Sequence, residues 1–203
     1  MIFVGLTGGT GCGKTTALEC FSSLHWKTLD ADRICHEIYG DVGSGVPETL
    51  RKRWGTGVFS KDGSLDRKKI AEIVFNDSVE LTWLNDLLHP EVLRRAREAV
   101  KNSRNEYVIF AVPLLFEAKW EKDFDLTIAV WTERETQYDR LMARGWSEKE
   151  IETRCSRQIS PERKMELADY ALINNGSPGF LFEQCEKLNN QIRKNYGKKI
   201  RDA

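Results

Sequence analysis

The feature that most constrains the fold of this 203-residue chain is a glycine-rich segment near its start. The segment Gly8-Gly9-Thr10-Gly11-Cys12-Gly13-Lys14-Thr15 matches G-x-x-x-x-G-K-[ST], the pattern of a loop that binds nucleotide phosphates. An apolar run, Ile2–Leu6, precedes it and predicts a buried parallel strand, and apolar residues at helical spacing follow it. The sequence therefore predicts strand, loop and helix in the order that a P-loop requires.

The residue types of this loop suit a phosphate chain. Glycine reaches positive φ angles and has no Cβ, so the backbone N–H groups can surround an anion. The following helix turns the partial positive charge of its N-terminus toward the same anion. Lys14 is expected to reach the β- and γ-phosphates, and Thr15 to place its hydroxyl on Mg²⁺. The predicted nucleotide contacts in the loop are Gly8, Gly9, Gly11, Cys12, Gly13, Lys14, Thr15 and Thr16.

Five cysteines are scattered along the chain without a C-x-x-C pair, which indicates free thiols in a reducing cytoplasm. Cys12 lies beside a helix N-terminus, which could lower the pKa of its thiol. The simpler interpretation is a small residue that the loop tolerates, because a thiol has no part in holding phosphate. Both interpretations stay open at this point.

Five apolar segments predict strands, and helical patterns lie between and after them. The segments are Ile2–Leu6, Trp26–Asp30, Tyr107–Val112, Leu126–Trp131 and Tyr170–Ile173. Strands that alternate with helices predict an α/β fold of three layers, in which helices cover both faces of a five-stranded parallel sheet.

The second and third strands are far apart in the sequence. The residues between them show four helical patterns: Val46–Trp54, Arg67–Phe75, Val79–Leu88 and Glu91–Val100. Asp66 and Ser78 are the predicted N-caps of the second and third. A segment of this length exceeds a simple connection, so we expect a helical substrate-binding insertion at about 33–104. The predicted core is then 1–32, 105–132 and 168–203, and a second helical excursion covers about 133–167.

Charge and hydropathy exclude several classes of partner. Lys plus Arg and Asp plus Glu both total 31, so no net charge attracts nucleic acid or an anionic membrane. No apolar run reaches the roughly 20 residues of a membrane span, and no signal-peptide pattern is present. We expect a cytoplasmic monomer that binds neither nucleic acid nor membrane. The basic stretch 193–201 is expected to be a solvated, frayed end rather than a binding arm.

The second helical excursion favours a kinase over other P-loop proteins. Its arginines and glutamines recur at three- and four-residue steps: Gln137, Arg140, Arg144, Arg154, Arg157 and Gln158. Arg140 and Arg144 are expected to share one helix face, where a closing lid could neutralise a moving phosphoryl group. Mixed charge is also typical of a solvated helix, but the position after a P-loop and a fourth strand favours a lid. The N-K-x-D and D-x-x-G patterns of regulatory GTPases are absent from the sequence.

An acceptor hydroxyl needs a base, and Asp30 and Asp32 follow the second predicted strand. The carboxyl edge of a parallel sheet is where ligands bind in open α/β folds, so either carboxylate could accept a proton there. Either could equally cap the next helical pattern, Arg33–Tyr39. The residues alone do not separate these functions.

Ordered motifs from residue 5 to residue 177 resemble the dephospho-CoA kinase family. They are Gly5–Thr15, Asp30-Ala31-Asp32, Leu65-Asp66-Arg67 with Val74-Phe75, Leu88-His89-Pro90, Val112-Pro113-Leu114-Leu115-Phe116-Glu117, Gln137-x-x-Arg140-x-x-x-Arg144, Arg154-x-x-x-Gln158 and Ala168-Asp169 with Asn175-Gly176-Ser177. Many families share the P-loop, whereas the Pro-Leu-Leu-Phe-Glu, His-Pro and Ala-Asp…Asn-Gly motifs are far more specific together.

The resemblance implies a P-loop kinase core with a helical CoA-binding insertion and a lid. It implies transfer of the ATP γ-phosphoryl group to the ribose 3′-hydroxyl of dephospho-CoA, with Mg²⁺ at Thr15. It favours Asp32 over Asp30 as the base and names Asp32, Lys14 and Arg140 as catalytic, with Arg144 on ATP. The implied acceptor contacts are Thr7, Asp32, His89, Leu114 and Leu115.

Two regions depart from the family pattern, and two alternative functions stay open. Thr10 and Cys12 replace the commoner loop residues, and Gly145-Trp146 stands where an acidic residue is usual. The first alternative is a nucleoside or nucleoside-monophosphate kinase on the same core. The second is a nucleotide-gated binding module, which would bind ATP or GTP without phosphorylating an acceptor.

Overall fold

The computed structural model describes the backbone of residues 1–201 and the side chains of residues 1–197. The strands are β1 (Ile2–Gly8), β2 (Lys27–Asp30), β3 (Tyr107–Ala111), β4 (Leu126–Trp131) and β5 (Tyr170–Ile173). The helices are α1 (Lys14–Ser23), α2 (Ala31–Gly40), α3 (Val46–Trp54), α4 (Arg67–Asn76), α5 (Ser78–Lys101), α6 (Arg134–Met142), α7 (Glu148–Cys155), α8 (Pro161–Leu167) and α9 (Pro178–Arg201). Short 3₁₀ turns occupy Val42–Ser44, Thr56–Val58 and Trp120–Asp123.

The five strands form one parallel sheet in the order β2-β3-β1-β4-β5. The register places Leu6 of β1 between Ala111 of β3 and Ile128 of β4. Because all strands are parallel, their carboxyl ends meet at one edge, and the loop that follows β1 lies at the middle of that edge. The prediction of a three-layer α/β fold with a five-stranded parallel sheet is confirmed.

An apolar core joins one face of the sheet to α1 and α9. Every residue of β3 is buried, as expected of a parallel strand covered on two sides. Phe21 of α1 and Ile192 of α9 are fully buried in this core. The apolar runs that predicted the strands are therefore the residues that stabilise the sheet.

The chain divides into two compact units, Met1–Asp30 with Ser103–Ala203 and Ala31–Asn102. The first, here called the core unit, contains the sheet with α1 and α6–α9. The second, here called the helical unit, contains α2–α5. The predicted lid range, about 133–167, comprises α6, α7 and α8 and belongs to the core unit.

One long helix replaces two of the predicted helices of the helical unit. α5 has 24 residues and continues through Pro90. A buried stripe at four-residue steps explains this, and it consists of Leu84, Leu88, Val92 and Ala96. The missing N–H of proline removes one helical hydrogen bond, but the packing on both sides of it holds the helix together. The prediction of separate helices at Val79–Leu88 and Glu91–Val100 was wrong.

The N-caps of α4 and α5 are both aspartates. The Asp66 carboxylate accepts hydrogen bonds from the N–H groups of Lys68 (3.0 Å) and Lys69 (3.4 Å), so this predicted cap is confirmed. Asp77 caps α5, and Ser78, the predicted cap, is its first helical residue. A carboxylate is favoured at this position because it also interacts with the helix dipole.

α9 runs to Arg201, so the expected frayed end of the basic stretch is helical. The guanidinium of Arg193 lies 4.5 Å from the ring centroid of Tyr107 and donates to Asn189 Oδ1 (2.8 Å). The side chains after Gly197 lie outside the described part of the chain. Within residues 1–201, no helix is both long and apolar enough to cross a membrane.

Candidate active site

The glycine-rich loop, residues 8–15, joins β1 to α1 and requires glycine at three positions. Gly8, Gly11 and Gly13 have φ angles of 152°, 82° and 100°. A Cβ on Gly8 would collide with the carbonyl oxygen of Val130, and a Cβ on Gly13 would collide with the side-chain amide of Asn174. The loop therefore needs glycine for both backbone conformation and space.

Lys14 and the two threonines after it form the first turn of α1. Lys14 Nζ donates hydrogen bonds to the carbonyl oxygens of Gly8 (2.9 Å) and Gly9 (3.0 Å). Thr15 is exposed and Thr16 is half-buried. The N-cap residue of α1 has no side chain, so the first N–H groups of the helix receive no side-chain cap. Such a helix start, with a lysine beside it, suits an anion.

Three amide side chains fix the backbone of the loop. Gln137 Nε2 donates to the carbonyl of Thr10 (2.5 Å), and Gln158 Oε1 accepts from the Thr10 N–H (3.2 Å). Asn174 Nδ2 donates to the carbonyl of Cys12 (2.9 Å). α6, the segment after α7 and the segment after β5 thus hold the backbone of the loop in one conformation.

Arg140 of α6 lies next to this network. Its Nη2 donates to the carbonyl of Asn174 (2.9 Å), whose side chain in turn contacts Gly13 and Cys12. Its Nη1 is buried and has no hydrogen-bond partner among the described residues. The guanidinium therefore offers a buried, uncompensated donor close to the loop, which suits a phosphate oxygen.

Arg144 lies in a different environment from Arg140. α6 ends at Met142, and Gly145 closes it at a φ of 85° with its N–H on the carbonyl of Met142 (2.8 Å). Arg144 is exposed in this closing turn, whereas Arg140 is half-buried. Trp146, the departure from the family pattern, lies under Arg154, whose guanidinium is 4.2 Å from its ring centroid. The contact of Arg144 with ATP stays a prediction.

Cys12 is a packed residue of the loop. Its side chain is buried, and burial raises the pKa of its thiol, which Lys14 opposes only in part. Of the two interpretations left open, the one in which the pKa of the thiol is lowered is therefore wrong. The structure agrees with the interpretation of a small residue that the loop tolerates.

The implied acceptor residues of the core unit differ in exposure. Thr7 is fully buried, and its hydroxyl donates to the carbonyl of Pro113 (3.3 Å). Leu115 is also fully buried, and a Cβ on Gly5 would lie 2.6 Å from its Cδ1, so Leu115 fills the space above that glycine. Leu114 is half-buried. Of the two leucines, Leu114 has the surface to meet a ligand, and Leu115 belongs to the core.

The implied acceptor residues of the helical unit are Asp32 and His89. Asp32 is exposed in the first turn of α2, two residues after the end of β2 at Asp30. His89 is half-buried in the middle of α5, and burial lowers the pKa of its imidazole while Asp86 opposes this. A lowered pKa favours the neutral imidazole at pH 7.

Comparison with known proteins decides which P-loop family this site belongs to. The model of the dephospho-CoA kinase family matches residues 2–178. The chain belongs to this family. The dephospho-CoA kinase of Aquifex aeolicus is 35% identical over 190 residues, which cover 93% of this chain and 96% of that relative.

Solved structures agree with this assignment. A Thermus thermophilus protein superposes with a TM-score of 0.82 at 31% identity, over 94% of this chain and 97% of that one. The dephospho-CoA kinase of Campylobacter jejuni superposes with a TM-score of 0.69 at 27% identity, over 95% and 98% of the two chains.

One motif of the dephospho-CoA kinase family, Ala-Asp…Asn-Gly, forms hydrogen bonds to both ends of β4. Asp169 Oδ2 accepts hydrogen bonds from the N–H (2.7 Å) and the hydroxyl (2.9 Å) of Thr127. Asn175 Oδ1 accepts from the hydroxyl of Thr132 (2.7 Å) and the N–H of Glu133 (2.9 Å). The Ala-Asp…Asn-Gly motif thus ties both ends of β4 to the residues on either side of β5.

Sequence reasoning missed two residues of this dephospho-CoA kinase site, Asn174 and Lys164. Asn174 holds Cys12, which lies 162 residues earlier in the chain. Lys164 is fully buried and forms an ion pair with Glu117 (2.9 Å), the last residue of the Pro-Leu-Leu-Phe-Glu motif. No local signal marks either residue, because a lysine on a charged helix and an asparagine in a loop after a strand are normally solvated.

Proposed function

We propose that this chain transfers the γ-phosphoryl group of ATP to the ribose 3′-hydroxyl of dephospho-CoA and releases coenzyme A and ADP. The observation that carries the proposal is the hydrogen-bonded loop of a dephospho-CoA kinase family member, with Lys14 in the loop and Arg140 bonded to Asn174, which holds it. Positive charge and oriented N–H groups are what a transferring phosphoryl group requires.

The donor half of the reaction uses the loop and α6. Lys14 exchanges its hydrogen bonds to the loop carbonyls for the β- and γ-phosphates when ATP binds. The uncompensated Nη1 of Arg140 binds the γ-phosphoryl oxygens as negative charge spreads over them. Arg144, exposed at the end of α6, joins this contact when the lid closes.

The acceptor half of the reaction uses Asp32 as the general base. Its carboxylate accepts the proton of the 3′-hydroxyl while the oxygen attacks the γ-phosphorus in line, and no covalent enzyme intermediate forms. His89 and Leu114 contribute to acceptor binding, and Thr7 acts on the acceptor through its hydrogen bond to the carbonyl of Pro113, beside Leu114. We assign the helical insertion, about 33–104, to dephospho-CoA and the range of about 133–167 to the lid.

Mg²⁺ fits the residues of the loop. The exposed hydroxyl of Thr15 provides a single protein oxygen, which suits an ion that keeps several waters and binds mainly through substrate phosphates. Among the described residues no group of three or more His, Cys, Asp or Glu could form a separate metal site. The bound ion would neutralise charge on the β- and γ-phosphates.

We place the reaction in the cytoplasm and expect a monomer to perform it. The five cysteines are free, which agrees with a reducing compartment. The balanced charge of the chain gives no reason to expect nucleic acid as a partner.

The test is an acceptor assay with the purified protein, ATP and MgCl₂. Dephospho-CoA and a panel of nucleosides and nucleoside monophosphates are offered separately, and products are identified by mass spectrometry and ³¹P NMR. The proposal expects ADP and a 3′-phosphorylated product with dephospho-CoA only. Phosphorylation of the panel without dephospho-CoA supports the nucleoside kinase instead, and nucleotide binding without any acceptor product supports the binding module.

A further inference from the structure

Lys164 of α8 is a buried charge that the proposed mechanism does not use. Its side chain has no exposed surface, and its ammonium donates to the carbonyl of Pro113 and pairs with Glu117 Oε1 at 2.9 Å. Burial lowers the pKa of Lys164, and the hydrogen bond and charge of Glu117 oppose this. A buried ion pair costs desolvation energy on both sides, so apolar packing would stabilise the fold at least as well. A role other than stability is therefore a reasonable expectation for this pair.

The partners of Lys164 lie in the turn that follows β3. The carbonyl of Pro113 accepts from Lys164 and also from the hydroxyl of Thr7, the last residue of β1 before Gly8. Glu117 Oε1 accepts a second hydrogen bond from the N–H of Ile159 (2.8 Å). The ammonium therefore ties the turn 113–117 to α8, and the hydroxyl of Thr7 ties the same turn to the carboxyl end of β1.

α8 also touches the phosphate loop. A Cβ on Gly9 would lie 2.9 Å from Cγ of Pro161, the first residue of α8. One short helix thus contacts the donor loop and, through one lysine, the turn that carries Leu114.

We propose that Lys164 is a positioning residue for phosphoryl transfer. It fixes the turn 113–117 relative to the phosphate loop, so that the acceptor bound at Leu114 meets the γ-phosphoryl group at reacting distance. The inference rests on the proposed function. Reactions of this class depend on alignment, and a displacement of about 1 Å can cost about 10²-fold in rate.

The first test compares Lys164→Met with Arg163→Met, its neighbour on α8. Arg163 forms only a surface ion pair with Glu166, so its variant controls for loss of one positive charge on this helix. We expect Lys164→Met to lower kcat with dephospho-CoA about 10²-fold and to leave KM for ATP close to wild type. Arg163→Met keeps wild-type kinetics. Wild-type kcat in Lys164→Met overturns the inference.

The second test separates positioning from folding. Lys164→Met leaves Glu117 buried without its cation, whereas Lys164→Met with Glu117→Gln leaves no buried charge and recovers most of the thermal stability. If Lys164 positions the turn, kcat of this double variant stays low at a temperature where it is fully folded. Recovery of kcat together with stability overturns the inference, and so does a double variant that fails to fold. If the wild-type protein does not phosphorylate dephospho-CoA, the proposed function is wrong. If the wild type and the Lys164 variant are equally active, only the positioning role of Lys164 is wrong.

Discussion

The core unit and the helical unit place their polar side chains differently. Among the described residues, the buried polar or charged ones all belong to the core unit: Thr7, Thr127, Thr132, Gln137, Lys164, Asn174 and Asn189. In the helical unit the described charged side chains all keep some exposed surface, as in the ion pair of Arg53 with Glu80, where the exposed fractions are 40% and 20%. Buried polar groups are costly unless they are paired, so their concentration marks the region where geometry is fixed for chemistry. Substitutions in the two units should therefore fail in different ways.

Asp32 is the expected exception, because it is an exposed residue of the helical unit with a catalytic role. We predict that Asp32→Ala lowers kcat by about 10²–10⁴-fold, because no other group then accepts the proton of the acceptor hydroxyl. Steady-state kinetics measure kcat, and calorimetric titration with an ATP analogue is expected to show unchanged nucleotide affinity. Thermal stability should also remain at the wild-type level, since Asp32 is exposed.

Asp30→Ala is the matched comparison for this prediction. Asp30 ends β2 in the core unit and lies two residues before Asp32. We expect a much smaller effect on kcat from this variant. Wild-type kcat in Asp32→Ala together with loss of kcat in Asp30→Ala would reverse the assignment of the base.

Gly13→Ala and Gly45→Ala compare two glycines in the same structural position. Each is the N-cap of a helix at positive φ, 100° for Gly13 and 72° for Gly45. A Cβ on Gly13 would collide with Asn174, whereas a Cβ on Gly45 meets no atom within 4 Å. We predict that Gly45→Ala costs only the strain of positive φ, about 1–2 kcal/mol of unfolding free energy. Gly13→Ala costs about 2–4 kcal/mol, because it adds an overlap to that strain.

The KM for ATP provides a second comparison of Gly13→Ala with Gly45→Ala. Gly13→Ala displaces the amide that holds Cys12, so KM for ATP should rise about tenfold or more, which corresponds to about 1.4 kcal/mol of binding energy. Gly45→Ala should leave KM for ATP unchanged. Urea unfolding and ATP-dependent rates provide the two measurements. Equal effects of the two variants on KM would contradict the view that Asn174 fixes the loop.

The sequence predicted the sheet and the loop well because both depend on local patterns. Apolar runs define buried parallel strands, and the glycine spacing of residues 8–13 defines a phosphate loop. The resemblance to dephospho-CoA kinases added the acceptor and is confirmed at family level. The residues assigned to each role, Asp32 and Arg140 among them, remain predictions.

What could not be predicted depends on contacts between distant residues. Asn174 and Lys164 act on backbone carbonyls 162 and 51 residues away, and no periodicity encodes such pairs. The sequence predicts two helices on either side of Pro90, but a continuous buried stripe keeps α5 intact through the proline. Burial also decided the state of Cys12, since a loop sequence does not reveal how tightly neighbouring helices cover it.

The smallest change in stability that we predict is for Glu91 of the helical unit, whose carboxylate pairs with two arginines. Its carboxylate accepts from Arg94 (2.6 Å) and Arg95 (2.7 Å), and the hydrogen bond of Arg94 is the main reason that its pKa is lowered to about 2. A lowered folded-state pKa stabilises the protein above the ordinary glutamate pKa of about 4.3, and this contribution is lost as the pH falls toward 2.

Glu91→Gln should therefore reduce the unfolding free energy by about 1 kcal/mol at pH 7, by less at pH 3, and leave kcat unchanged. Thermal unfolding at both pH values tests this against Glu48→Gln, whose ion pair with Arg51 is looser at 3.6 Å and should matter less. A difference that grows toward pH 3 would show that the carboxylate is not stabilised in its charged form.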